Sequence, residues 1–187
     1  MADSLRAVGL NKRYGDDFSL RDVSLVVPQG SVVGFVGANG AGKTTTIRAV
    51  LGLMRVDSGA VEVFGEAFGP QADAAVCNRV KERIGVVFDT CPYAGDLSVA
   101  TVGAVMAAAY PSWRPDAFKT HLQRFGIGAR KKVKSLSRGM GMKLQIACAL
   151  SHDPDLLVLD EATAGLDPIA RDEVLDMLRA YLAADER

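Results

Sequence analysis

The chain has 187 residues, 49% of them hydrophobic, and its 22 basic side chains balance 22 acidic ones. That length suits one domain with a subdomain, and zero formal net charge excludes a polyanion held by net field alone. Three scattered cysteines, Cys77, Cys91 and Cys148, have neither disulfide nor metal spacing and read as small core residues of a reducing compartment. The uncharged run Leu97 to Trp113 falls short of the roughly 20 apolar residues a membrane span requires. Met1 to Leu5 lack the basic start and apolar core of a secretory signal, so the expectation is a cytosolic protein.

In chain order, Leu5 to Val8, Val23 to Val27 and Ala60 to Phe64 have strand composition and turn residues at their ends, which predicts antiparallel strands. Tyr14, at the end of the first stretch, could stack on a base or be an ordinary surface or core ring. Val32-Val33-Gly34-Phe35-Val36 reads as a short apolar strand. It leads into Gly37-Ala38-Asn39-Gly40-Ala41-Gly42-Lys43-Thr44-Thr45, after which Thr45 to Met54 has helical composition. Gly, four residues, then Gly-Lys-Thr at a strand-to-helix turn is the pattern of a phosphate-binding loop. Its glycines let successive N–H groups converge on phosphate oxygens, and the helix directs its positive end at the same charge. In that pattern Lys43 reaches the β- and γ-phosphates and Thr44 places its hydroxyl on Mg²⁺. A glycine-rich turn with no ligand is the alternative.

Asp73 to Arg83 predicts a helix, and Ile84 to Phe88 a buried strand ending at Asp89. A carboxylate there can meet a ligand or a metal-bound water, or can form an N-cap or turn. An Ala-rich helix follows from Val99 to Tyr110, stopped by Pro111, and a further helix from Asp116 to Phe125. The basic run Arg130 to Lys134 has no interleaved aromatic residues and reads as a solvated loop rather than a nucleic-acid contact. Ser137 is placed to cap a helix running to Leu150, whose start is a second possible anion site.

Leu156-Leu157-Val158-Leu159 then predicts a parallel strand covered on both faces, ending in Asp160-Glu161. Two carboxylates at such an edge suit metal chemistry: Asp160 in the Mg²⁺ shell, and Glu161 as the base that polarises water for attack on a γ-phosphate. A strand running into a polar turn is the plainer account. Asp167-Pro168 supplies an N-cap and a first-turn proline for a helix to about Ala184.

The order of phosphate loop, strand-end acidic position, Ser-x-Gly helix start, Leu-Leu-Val-Leu-Asp-Glu and Ala164-Gly165-Leu166-Asp167 resembles the ATP-binding-cassette family over essentially the whole chain. The resemblance implies an α/β fold: a phosphate-loop NTPase (RecA-like) core with a mostly parallel sheet, an N-terminal antiparallel β-subdomain and a helical subdomain. Residues 1–92 and 151–187 would form the core with its β-subdomain, and residues 93–150 the helical part. It implies ATP and Mg²⁺ as ligands, with Tyr14 on the adenine. Asp89 falls where the family usually has a glutamine near Mg²⁺ and the attacking water. Ser137 and Gly139 match the signature that meets the γ-phosphate bound by the opposite subunit, and Asp167 matches an aspartate that crosses the dimer interface.

Several positions depart from that pattern. Asp89 is negative where glutamine is neutral, Arg138 and Met140 replace the usual signature residues, and Ala162 replaces a common proline. The family also sets a histidine on the γ-phosphate from a strand after the Asp167 helix, a role His121 and His152 do not match by position. The expectation is a shortened chain, a swapped arrangement or a gap filled by a neighbour, with the Gly34 and Leu157 strands not paired directly.

Those features look similar to bacterial exporter ATPases of the drug and antibiotic type. They imply an ATP-hydrolysing transporter subunit that pairs with a second such subunit and with separate permease subunits at the inner face of the membrane, with no nucleic-acid partner. Two other readings remain open: a soluble cassette protein of translation or repair, and a module that dimerises on ATP with little hydrolysis.

Overall fold

The computed structural model describes residues 2–15, 18–162 and 166–184. Those residues form two compact units, Met1–Ile84 and Gly85–Arg187.

The first unit is built on an antiparallel sheet of β1 (Asp3–Tyr14), β2 (Phe18–Pro28), β3 (Ser58–Val63) and β4 (Glu66–Ala67), in the order β2-β1-β3-β4. The three longer strands lie where the alternating stretches predict them. The two-residue β4 is too short to leave a periodic signal. Along β1 the buried positions change parity, from Leu5 and Ala7 to Leu10, because the register slips on both sides of Gly9. A bulge of this kind re-aims every side chain beyond it. Gly59 on β3 sits against it at φ +97°, so close that a Cβ there would lie 2.4 Å from the Gly9 carbonyl oxygen. Two helices complete the unit, α1 (Lys43–Val50) and α2 (Ala74–Glu82), the second capped by Asp73, whose carboxylate accepts the N–H groups of Ala75 and Val76.

The strand expected at Val32 to Val36 does not form. Residues 31–38 adopt no regular structure, and Val32 and Val36 are 77% and 94% exposed. Apolar composition is not enough: a strand exists only against a partner, and no neighbouring strand among the described residues takes up these N–H and C=O groups.

The second unit has a two-stranded sheet, β5 (Ile84–Val87) with β6 (Leu156–Leu159). The pairing is parallel: Gly85 packs beside Leu157, and the Asp160 N–H donates to the Val87 carbonyl at 2.8 Å. Around it lie α3 (Val99–Ala109), α4 (Pro115–Arg124), α5 (Arg138–Leu150) and α6 (Pro168–Ala184), with a 3-10 turn at Val133–Ser135 inside the basic run. Helix starts follow the sequence: Ser98, Ser137 and Asp167 each accept a first-turn N–H, and Pro115 opens α4. The core gathers Val99 and Val102 of α3, Phe118 and Leu122 of α4, and Val174 and Met177 of α6 around α5, which from Gly141 to Leu150 is buried at every residue but the half-buried Lys143. Burial at this scale stabilises by roughly 1.5–3 kcal/mol for each large side chain.

Two outcomes follow from this packing. Gly59→Ala should lower unfolding stability by about 2 kcal/mol or more, read as a lower urea midpoint with unchanged slope, because the clash is with main chain that cannot rotate away. On α4, burial pushes His121 below its ordinary value of 6.5, aided by the charges of Arg124 and Arg114. The unfolded chain therefore takes up this proton at higher pH than the fold does. Stability attributable to His121 is fully present above about pH 7 and is lost as pH falls through 6.5 towards the folded value. Unfolding curves of His121→Gln should show a flatter pH dependence across that window.

Candidate functional site

In the first unit, residues 37–41 are exposed, Gly42 is buried, and Lys43, Thr44 and Thr45 are half-buried. The chain turns twice through the left-handed region, at Gly40 (φ 81°) and Gly42 (φ 92°). Only glycine adopts that conformation freely, and the second turn places residue 42 at the N-cap of α1. No side chain caps this helix start. Inside the curl the Ala41 N–H donates to the Ala38 carbonyl at 3.1 Å, and the Thr46 hydroxyl anchors on the Gly42 carbonyl at 3.0 Å. Lys43 folds back over the loop. Its Nζ donates to the carbonyls of Gly37 at 2.8 Å and Ala38 at 3.1 Å. A cation resting on neutral carbonyls gains more from an anionic oxygen, so the lysine is stationed where an arriving phosphate can draw it off. Asn39 and Ala41 present only short side chains beside the main chain.

Tyr14 ends β1 with its ring 47% exposed, and its hydroxyl meets the Met54 sulfur, just beyond α1, at 3.5 Å. The strand end is fixed by Asp57, which accepts from the Lys12 ammonium and the Arg13 N–H, both at 2.8 Å. Those two bonds, that of Lys12 first, hold the Asp57 carboxyl below the usual carboxylate range. An exposed ring on a braced strand end suits stacking against a flat ligand.

The second unit gathers the other candidates. Asp160 is 3% exposed at the end of β6, and Glu161 beside it is exposed at φ +51°. That value is uncommon for a residue with a Cβ and marks stored backbone strain. Asp89, exposed, follows β5 and lines a cavity of about 470 Å³ with Cys91, Ser137, Arg138 and Gln145. The sheet thus brings Asp89 and Asp160 to its C-terminal edge, and the cavity brings Asp89 to Ser137. Ser137 is exposed, and its Oγ accepts the Met140 N–H at 3.2 Å. A Cβ on Gly139 would lie 3.3 Å from the Leu166 side chain, so this glycine lets residue 166 approach α5 closely. Asp167 is engaged as the N-cap of α6, with Oδ1 accepting the Ala170 N–H at 3.0 Å. Ala164 and Gly165 lie outside the described residues.

Among the described residues no three acidic, histidine or cysteine side chains cluster as an all-protein metal cage. Burial pushes the Cys148 thiol up to about 12 and raises that of Cys91, so both stay protonated at neutral pH and act as packing groups.

Gln145 carries no motif signal. Its only mark in the sequence is its polarity within the apolar run Leu144 to Leu150, yet it is 2% exposed and fully engaged with Phe88.

A glycine curl opening a helix, with a strand-edge acidic pair, defines a phosphate-loop α/β protein. A family model described as "ABC transporter" matches residues 20–164, and the chain belongs to that family. It is 35% identical over 182 residues to the bacitracin transport ATP-binding protein of Bacillus licheniformis, covering 96% of this chain and 58% of that protein. It is 36% identical over 190 residues to the daunorubicin/doxorubicin resistance ATP-binding protein of Streptomyces peucetius, covering 97% of this chain and 55% of that one. The chain therefore spans little more than half the length of these relatives. Among solved structures, an ATP-binding subunit of an ABC transporter superposes with a TM-score of 0.82 at 27% identity, covering 96% of this chain and 75% of that chain. An ATP-binding cassette dimer bound to ADP and Pi shares the fold at a TM-score of 0.84 and 20% identity, over 97% of this chain and 84% of that one. No helix among the described residues is long and apolar enough to cross a membrane.

Proposed function

We propose that the chain is the ATP-binding and ATP-hydrolysing part of a membrane exporter, acting in pairs on a separate permease at the inner face of the membrane. The observation that carries this reading is the glycine curl of residues 37–42, exposed as far as Ala41, handing over to Lys43 and Thr44 at a helix start with no side-chain cap. Relatives named for bacitracin transport and for daunorubicin/doxorubicin resistance favour export.

In this reading the main-chain N–H groups from Gly37 to Thr45 bind the phosphates, and Lys43 leaves its two loop carbonyls for the β- and γ-phosphate oxygens. Tyr14 offers its ring to the adenine. Thr44 and Asp160 would hold Mg²⁺, which would supply neutralising charge to the phosphates, and Asp89 can accept a hydrogen bond from water. Glu161 takes the proton of the water whose oxygen bonds to the γ-phosphorus as the bond to the bridging oxygen of ADP breaks. Ser137 and Gly139 serve the γ-phosphate of a second subunit's ATP, and Asp167 serves the contact between subunits. Residues 1–92 and 151–187 act as the nucleotide-binding core. Residues 93–150 act as the helical subdomain, with the stretch from Asp89 to Trp113 receiving a cytoplasmic helix of the permease.

Two substitutions test the assignment. Lys43→Ala should raise the dissociation constant for ATP by about 100-fold or more in equilibrium titration, the loss of a charge-assisted contact worth ~3 kcal/mol. Glu161→Gln should leave that constant within about twofold while cutting turnover by roughly 10²–10³-fold, the share a positioned base contributes. Retained tight binding in Lys43→Ala would sink the loop's role. Full turnover in Glu161→Gln would remove Glu161 as the base, and a wild-type chain that binds ATP without turnover would favour the dimerising module.

A further inference from the structure

Strand β5 ends at Val87, whose carbonyl takes the last ladder bond from the Asp160 N–H. The next residue, Phe88, has no strand partner for its main chain. Gln145 supplies one. The Phe88 N–H donates to Gln145 Oε1 at 3.0 Å, and Gln145 Nε2 donates to the Phe88 carbonyl at 3.1 Å. The side-chain amide copies the two-point pairing of a neighbouring strand and extends the ladder by one residue from within a helix. Both partners are shielded from water: Gln145 is 2% exposed and Phe88 is half-buried. In such surroundings an amide that satisfies both groups holds one orientation, because turning it over would place donor against donor.

The Phe88 carbonyl belongs to the same peptide unit as the Asp89 nitrogen, so fixing it fixes the direction in which Asp89 leaves the strand. Gln145 stands on α5 eight residues after Ser137, about 12 Å along the helix axis. Asp89, Ser137 and Gln145 line one cavity. We propose that Gln145 is a positioning residue for Asp89: it welds the peptide before Asp89 to α5, so that Asp89 and the Ser137 end of α5 move as one piece. Its role in ATP turnover rests on the function proposed above, but the clamp itself does not.

The test compares the full-length wild type with Gln145→Leu and Gln145→Glu by two readouts. The first is hydrogen exchange at the Phe88 amide without nucleotide. Gln145→Leu should speed it by about tenfold or more. Gln145→Glu should hold it close to wild type, since a buried, neutral carboxylic acid still offers one acceptor and one donor. The second is a double-mutant cycle with Asp89→Ala on ATP turnover. Gln145→Leu should lower kcat about tenfold with KM for ATP within about twofold, and should cost nothing further once Asp89 is alanine. Unchanged Phe88 exchange in Gln145→Leu overturns the clamp. Equal losses of kcat with and without Asp89 overturn the positioning role, because a residue that only supports the fold acts independently of Asp89. Should Gln145→Leu fail to fold, Gln145→Glu carries the test through the pH profile of turnover: ionising the carboxylate removes the donor to the Phe88 carbonyl while keeping the acceptor for the Phe88 N–H, so kcat should fall with rising pH relative to wild type, and the absence of such a fall, or the same fall with Asp89→Ala, overturns the positioning role. A wild type that binds ATP without hydrolysing it sinks the hydrolytic reading and leaves the exchange result to judge the clamp.

Discussion

A main chain that points several N–H groups at one anion, as proposed for residues 37–45, cannot carry side chains on the inside of the curve. The backbone of these residues has the conformation that such a curve needs. Gly40 and Gly42 take the backbone through positive φ, Gly42 ends the curl at the N-cap of α1, and the buried Thr46 ties the helix's first turn back to the Gly42 carbonyl. Everything else in the unit steadies this feature. The antiparallel sheet gives α1 an apolar bed, and the Lys12–Asp57 pair braces the strand end that carries Tyr14. Lys43 rests on its own loop carbonyls, contacts weaker than those to charged oxygens.

The second unit solves a different problem. Its carboxylates must sit at the edge of a sheet, partly out of water, without losing their orientation. Pairing of β5 with β6 sets Asp160 at that edge, and α5 closes the unit beneath it. Glu161 takes a left-handed backbone, a conformation that a residue with a Cβ keeps only where its surroundings hold it there.

Much of this was legible because the governing interactions are local. Caps announce themselves: Ser137 and Asp167, read as caps from the sequence, each accept a main-chain N–H three residues on. The loop and the Asp160-Glu161 pair were readable for the same reason. What failed was non-local. Val32 to Val36 has the composition of a strand but no partner among the described residues, and composition says nothing about partners. The bulge at Gly9 and the positive φ of Glu161 depend on approaching main chain rather than on nearby sequence. Gln145 was hidden by its neighbours. Its value lies in a bond across 57 positions of chain, and the only hint was a polar residue where helix packing asks for an apolar one.

The claim at the centre is that affinity resides in phosphate contacts made by the curl and Lys43. The direct measurement is equilibrium binding of AMP, ADP and ATP to the same protein with Mg²⁺ present. The account predicts that each added phosphate tightens binding, with AMP weaker than ATP by at least about 100-fold, ~3 kcal/mol. Equal affinity for all three nucleotides would contradict it, because recognition would then lie in the base and sugar alone.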